Sequence, residues 1–141
     1  MPQWLAQVTL VVRDYDEAIR FYTQQLGFTL LEDTPLSATK RWVRVAPPGA
    51  PPTACSLLLA KAATAAQRRC IGRQAGGRVG LFLYTEDFWG DYHQLRARNV
   101  VFEGAPRVEA YGTVVVLQDL YGNRWDLLQP GADPSGAPPL S

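Results

Sequence analysis

The chain has 141 residues and a mass of 15.6 kDa, enough for one domain with a real core and too little for two independent ones. Hydrophobic residues make up 47% and charged residues 19%, which excludes a disordered, coiled-coil or membrane composition. With 14 Lys and Arg against 13 Asp and Glu the net charge is +1, and the basic residues are dispersed, so the footprint expected of a nucleic-acid binder is missing.

At the amino terminus "MPQWLAQVTLVV" has neither the basic region nor the long apolar run of a signal peptide, and no stretch approaches the roughly 20 apolar residues of a membrane span. Cys55 and Cys70 form neither a CxxC pair nor a disulfide framework. The expectation is a cytoplasmic protein with no membrane or nucleic-acid partner. "QVTLVV" alternates and then turns uniformly apolar, as a strand with one face on a core does. "RDYDEAIRFYTQQLGF" reads as a helix. Asp14 is its N-cap, Glu17 the capping-box partner, Ala18, Phe21, Tyr22 and Leu26 its apolar stripe, and Gly27 its left-handed stop. "FTLLED" and "KRWVRVAPPG" predict two further strands, and the loop "PPGAPP" leads to a fourth, "ACSLLLA".

The second half repeats this order. "VGLFLYTEDFWGDYHQLRARNVVFE" gives a strand and then a helix carrying Phe88, Tyr92 and Leu95, with Asn99 where Gly27 stood. "TVVVLQD" and "RWDLLQP" are strands flanking the turn "LYGN". An offset of about 72 residues superimposes the halves. The prediction is an α+β fold of two tandem βαβββ modules in one domain over 1–130. The modules cover about 5–60 and 76–130, a partly helical connector 61–75, and a disordered tail 131–141.

"VTLVVRDYDEAIRFYTQQLGF" and "DLYGNRWDLLQ" resemble the opening strand and helix and the closing hairpin of the vicinal oxygen chelate superfamily, which includes glyoxalase I, bleomycin-resistance proteins, fosfomycin-resistance enzymes and extradiol dioxygenases. The resemblance covers about residues 5–130. It implies that the eight strands curl into a U-shaped cup, with the site in the concavity and a homodimer as the usual assembly.

Metalloenzymes of that superfamily draw four ligands from the two modules, typically His or Gln, Glu, His and Glu. By resemblance Gln7 stands at the first position and Asp126 at the last. The second falls on Ser56 or Leu57 and the third on Val79 or Gly80, none of them a metal ligand of any strength. One amide and one carboxylate leave most of a divalent ion's coordination to water, so neither a metal nor any other cofactor is expected. His93 falls on the second helix, away from the expected concavity. Asp126 carries open readings: a carboxylate aimed into the cup, one paired with Arg124 or a neighbouring arginine, or one partly solvated at the cup's rim.

Strand alternation points Gln7, Thr9, Trp42, Arg44, Phe82 and Tyr84 to the concave side, and Val8, Leu10, Val43, Val45, Leu81 and Leu83 to the helices. Such a lining suits a flat or amphipathic organic molecule, with Arg44 available to an anion and Trp42 or Phe82 for stacking. Tyr111, in "AYGT", reads equally as a pocket lip or as a turn residue. The candidate ligand-binding set is therefore Gln7, Thr9, Trp42, Arg44, Phe82, Tyr84, Tyr111 and Asp126. The leading expectation is a bleomycin-resistance-like protein that binds a small organic ligand without a catalytic metal. The alternative is a lyase, isomerase or dioxygenase-like enzyme that uses a reduced metal site or Asp126 as acid or base.

Overall fold

A computed structural model describes residues 1–131, so the tail expected to be disordered lies, beyond its first residue, outside the described residues. The chain divides into two compact units, residues 1–74 and 75–141. The first holds β1 (Gln7–Val12), α1 (Tyr15–Arg20), β2 (Thr29–Pro35), β3 (Arg41–Ala46), β4 (Ser56–Lys61) and α2 (Ala65–Cys70). The second holds β5 (Val79–Tyr84), α3 (Phe88–Ala97), β6 (Val101–Glu109), β7 (Gly112–Gln118) and β8 (Arg124–Pro130).

The repeat is exact at the level of topology. The first sheet has the order β1-β4-β3-β2 and the second β5-β8-β7-β6. In each, the opening strand runs parallel to the closing one, and the remaining pairings are antiparallel. A helix between the first two strands carries the chain across the sheet. The second strand therefore starts the far edge, and the fourth closes beside the first.

Each helix starts and stops where the side chains dictate. The Asp14 carboxylate accepts from the Glu17 amide (2.9 Å) and caps α1, while the Glu17 side chain takes a two-pronged contact from Arg13 (2.9 and 3.1 Å). Beyond Arg20 the helix does not end but widens into a π-helical turn over Phe21–Gln25. There Leu26 N–H donates to the Phe21 carbonyl five residues back (3.1 Å), and the Thr23 hydroxyl donates to the Ile19 carbonyl (2.7 Å). Gly27 (φ +76°) and Asn99 (φ +64°) then hold the left-handed positions after the two long helices.

In the first unit Leu10, Val12, Val43, Val45, Leu57 and Leu59 are buried, as are Ala18, Phe21, Tyr22 and Leu26 of the helical segment that packs on β3 and β4. In the second, Val115, Leu117, Trp125 and Leu127 are buried with Phe88, Tyr92 and Leu95 of α3. Removing a fully buried side chain such as Leu59 costs about 2–5 kcal/mol. These apolar faces fix the strand registers, because a slip of one residue would send the whole set to the opposite face.

The turn before β8 is built by one carboxylate. Asp119, buried, accepts from the amides of Tyr121 and Asn123 (both 2.9 Å) and from the Asn123 side chain (2.8 Å), and Gly122 at φ +93° lets the chain reverse. That turn sets the phase of β8 and hence which face Asp126 occupies.

Candidate functional site

In the first unit, alternation leaves Gln7, Thr9 and Val11 of β1, Ser56, Leu58 and Ala60 of β4, and Trp42 and Arg44 of β3 on the sheet face opposite the helical segment. Leu57 points the other way and is buried, so of the two residues at the family's second ligand position only Ser56 shares a face with Gln7, its register partner. Ser56 is itself almost fully buried and accepts from the Arg44 guanidinium (3.3 Å).

Arg44 also bonds Glu32 across the β2–β3 pair (3.1 Å). It is therefore not the uncommitted cation that the sequence offers to an anion. A cleft of about 570 Å³ lies in this unit, within the range of small-molecule sites, about 300–1,000 Å³. Its walls include Thr9, Tyr15, Lys40, Trp42, Lys61 and Gln67, so it takes in two of the eight expected residues. Tyr15 is held there because its hydroxyl accepts from the Arg41 amide (3.1 Å) while the Arg41 guanidinium lies 5.1 Å over its ring. Arg41 is fixed in turn by Asp33 (2.7 Å) and Asp16 (2.9 Å), and its hydrogen bonds hold the Asp33 carboxyl below the usual carboxylate range. Gln74 secures the free edge of β1: its side chain accepts from Val11 N–H (2.9 Å) and donates to the Thr9 carbonyl (2.5 Å).

In the second unit the face opposite α3 carries Phe82 and Tyr84 of β5, Asp126 of β8, Val116 of β7 and Glu103 of β6. Phe82, Asp126, Val116 and Glu103 form one row across the sheet. Phe82 and Tyr84 are 57% and 58% exposed, unusual for large aromatics. Arg124 grips Glu103 with two hydrogen bonds (2.9 and 3.0 Å) and Gln118 adds a third (3.0 Å), which holds the Glu103 carboxyl below its ordinary range.

Arg124 is thus committed to Glu103, and Asp126 makes no hydrogen bond or ion pair with another described residue. Burial pushes the Asp126 carboxyl up, and the charges of Arg107 and Arg124 offset this in part. Val79, one of the two residues at the family's third ligand position with Gly80, pairs with Arg124. Tyr111 lies in the two-residue turn between β6 and β7, half-buried, its carbonyl accepting from Gly131 N–H (2.7 Å). His93 is exposed on α3 beside Trp89 and Tyr92. Among the described residues no three of His, Cys, Asp and Glu group as metal ligands.

The residues that sequence reasoning missed are Lys40, Lys61, Tyr15 and Gln67 at the cleft, and Glu32 and Glu103 as partners of the two arginines. Lys40 had a signal, since it shares the strand parity of Trp42.

The sequence family described as Glyoxalase/Bleomycin resistance protein/Dioxygenase superfamily matches residues 4–127. An uncharacterized protein of Shewanella frigidimarina is 52% identical over 130 residues, which is 92% of this chain and 95% of that protein. The crystal structure of UcmS2 aligns with a TM-score of 0.78 at 30% identity, over 91% of this chain and 98% of its own. TnmS3, an antibiotic binding protein from Streptomyces sp. CB03234, aligns with a TM-score of 0.72 at 30% identity, over 92% and 98%.

Proposed function

The chain belongs to the Glyoxalase/Bleomycin resistance protein/Dioxygenase superfamily, and from that premise we propose that it binds a small organic ligand and releases it unchanged, without a catalytic metal. The observation that carries this reading is the cleft of the first unit, of about 570 Å³ and walled by Trp42. The likeness to an antibiotic binding protein at 30% identity over most of both chains supports it. Exposed Phe82 and Tyr84 offer a second aromatic surface on which a flat ligand would stack.

The donors at the family's metal positions do not fit a divalent ion. Gln7 supplies a neutral amide, Ser56 a hydroxyl bonded to a guanidinium, and Asp126 a carboxylate in the field of two arginines. Within each unit a cation at these positions would meet an arginine where it needs donors, Arg44 beside Ser56 and Arg124 beside Asp126. A second reading, an enzyme with Asp126 as acid or base, has one observation in its favour, the raised pKa of that carboxyl beside exposed Phe82. We place the protein in the cytoplasm, where its two exposed thiols, Cys55 and Cys70, would stay reduced.

The test is a fluorescence titration with a panel of fused-ring aromatic compounds, followed by mass spectrometry of the recovered compound. Saturable micromolar binding, weakened at least tenfold in Trp42→Ala, with the compound recovered intact, is the expected result. Conversion of the compound would favour the Asp126 enzyme, and an absence of saturable binding by wild type would remove the reading. Calorimetric titration with Zn, Ni and Mn should give no saturable heat.

A further inference from the structure

We propose that the cleft of the first unit selects organic anions, with the ammonium groups of Lys40 and Lys61 as its charge subsite and Trp42 as the surface for the ligand's ring; this rests on the reading of that cleft as the ligand pocket. The composition of the lining is the first argument. Lys40, Arg41 and Lys61 bring three cations to the cleft, and no Asp or Glu lines it.

The state of those cations is the second. Arg41 is neutralised by Asp33 and Asp16, and its hydrogen bonds to them raise its pKa further, so it serves as a structural clamp behind Tyr15. The side chains of Lys40 and Lys61, in contrast, have no hydrogen-bond or ion-pair partner among the described residues. The count sharpens the point. The chain has 14 basic residues, and its two lysines both line this one cleft.

A lysine ammonium on a flexible stem is a mobile point charge that adapts to a carboxylate, sulfonate or phosphate, whereas the fixed forks of Arg41 and Arg44 are spent on protein carboxylates. The strands position the pair. Lys40 sits at the entry to β3 two residues before Trp42, and Lys61 ends β4, where Ala60 pairs with Val11 of β1. The ligand this chemistry recognises is an aromatic or amphipathic acid: a ring against Trp42, Leu58 and Val11, and an anionic group held by the lysines.

The decisive experiment compares two probes with the same rings, 8-anilinonaphthalene-1-sulfonate and the uncharged N-phenyl-1-naphthylamine, in fluorescence titrations of the full chain. Wild type should bind the sulfonate about tenfold more tightly than the neutral probe at low salt, and the preference should shrink at high salt. In the double variant Lys40→Met/Lys61→Met the ratio of the two affinities should fall to about one, and Trp42→Ala should weaken both probes. Circular dichroism of the lysine variant should match wild type, since both lysines are solvent-facing. Equal affinities in wild type, or an unchanged ratio in the lysine variant, would overturn the anion subsite while leaving ligand binding in place. Failure of both probes to bind wild type would overturn the pocket reading, and the subsite with it.

Discussion

Gly112→Ala should cost the protein about 1–3.5 kcal/mol, because two separate penalties meet at that position. Its φ is +151°, a conformation that L side chains rarely adopt, which alone costs about 1–3 kcal/mol. An added Cβ would also sit 2.2 Å from the Gln129 carbonyl oxygen, where ordinary contact begins at 3.4 Å, so β8 must retreat by the difference, 1.2 Å. That movement falls on the Gly112–Pro130 register pair and on the Gly131 to Tyr111 hydrogen bond (2.7 Å), whose loss adds about 1 kcal/mol. A less flexible unfolded chain returns about 0.4–1 kcal/mol. The assay is urea unfolding followed by far-ultraviolet circular dichroism, with Gly104→Ala as the control. Gly104 has φ +75° and nothing within 4 Å of the added carbon, so it carries the backbone penalty without the clash, about 1 kcal/mol. Equal losses for the two variants would refute the argument that close approach of β8, rather than backbone conformation, demands the glycine after Tyr111.

Asp126→Asn should leave the protein at least as stable as wild type at neutral pH, because burial raises the folded carboxyl above its ordinary 3.8 and makes its charge a cost. Since acid protonates Asp126 in wild type and relieves that cost, the advantage of the variant should vanish as pH falls through the folded pKa. A clear loss of stability at neutral pH would contradict it. Glu103→Gln has the opposite sign. Its folded pKa lies below the ordinary 4.5, so the stability it brings is complete above that value and is lost as pH falls below it. The variant should be about 1 kcal/mol less stable at neutral pH, with the deficit closing as pH falls through the lowered folded pKa. In solution we expect a homodimer, because the edge strands β2 and β6 expose Leu30, Leu31, Val101 and Val108. Light scattering should give twice 15.6 kDa, and a mass of 15.6 kDa at tens of micromolar would exclude the dimer.

The fold was legible because its signals are local and appear twice. Asp14 and Gly27 bracket the first long helix and Asn99 ends the second, and the alternation of "QVTLVV" and "RWDLLQ" places Leu10 and Leu127 in the core. The π turn at Phe21–Gln25 was not legible, because it widens the backbone by one residue within a pattern of apolar spacing that otherwise reads as regular helix. Asp119 reads in the sequence as the end of the strand "TVVVLQD", outside the turn "LYGN" that its carboxylate builds. The hydrogen bonds its carboxylate accepts from Tyr121 and Asn123 explain why the motif needs Asp and Asn around the glycine.

For the site, alternation delivers the face of a side chain but not its partner. Trp42 and Arg44 do lie on one face, as parity requires, yet Arg44 is spent on Glu32, and that pairing follows from a register that shifts between Leu30 and Glu32. An unshifted hairpin would have moved Glu32 away from Arg44 and left the arginine open to a ligand. Lys61 escapes in the other direction. Its parity with Leu57 and Leu59 assigns it to the buried side, yet as the last residue of β4 it is exposed and lines the cleft. Identifying an anion site from such a sequence therefore requires subtracting every cation that lies opposite a carboxylate across an antiparallel pair, as Arg44 does, or diagonal to one, as Arg41 is to Asp33, and adding those at strand ends. Applied to this sheet, the subtraction removes Arg41 and Arg44 and the addition leaves Lys40 and Lys61.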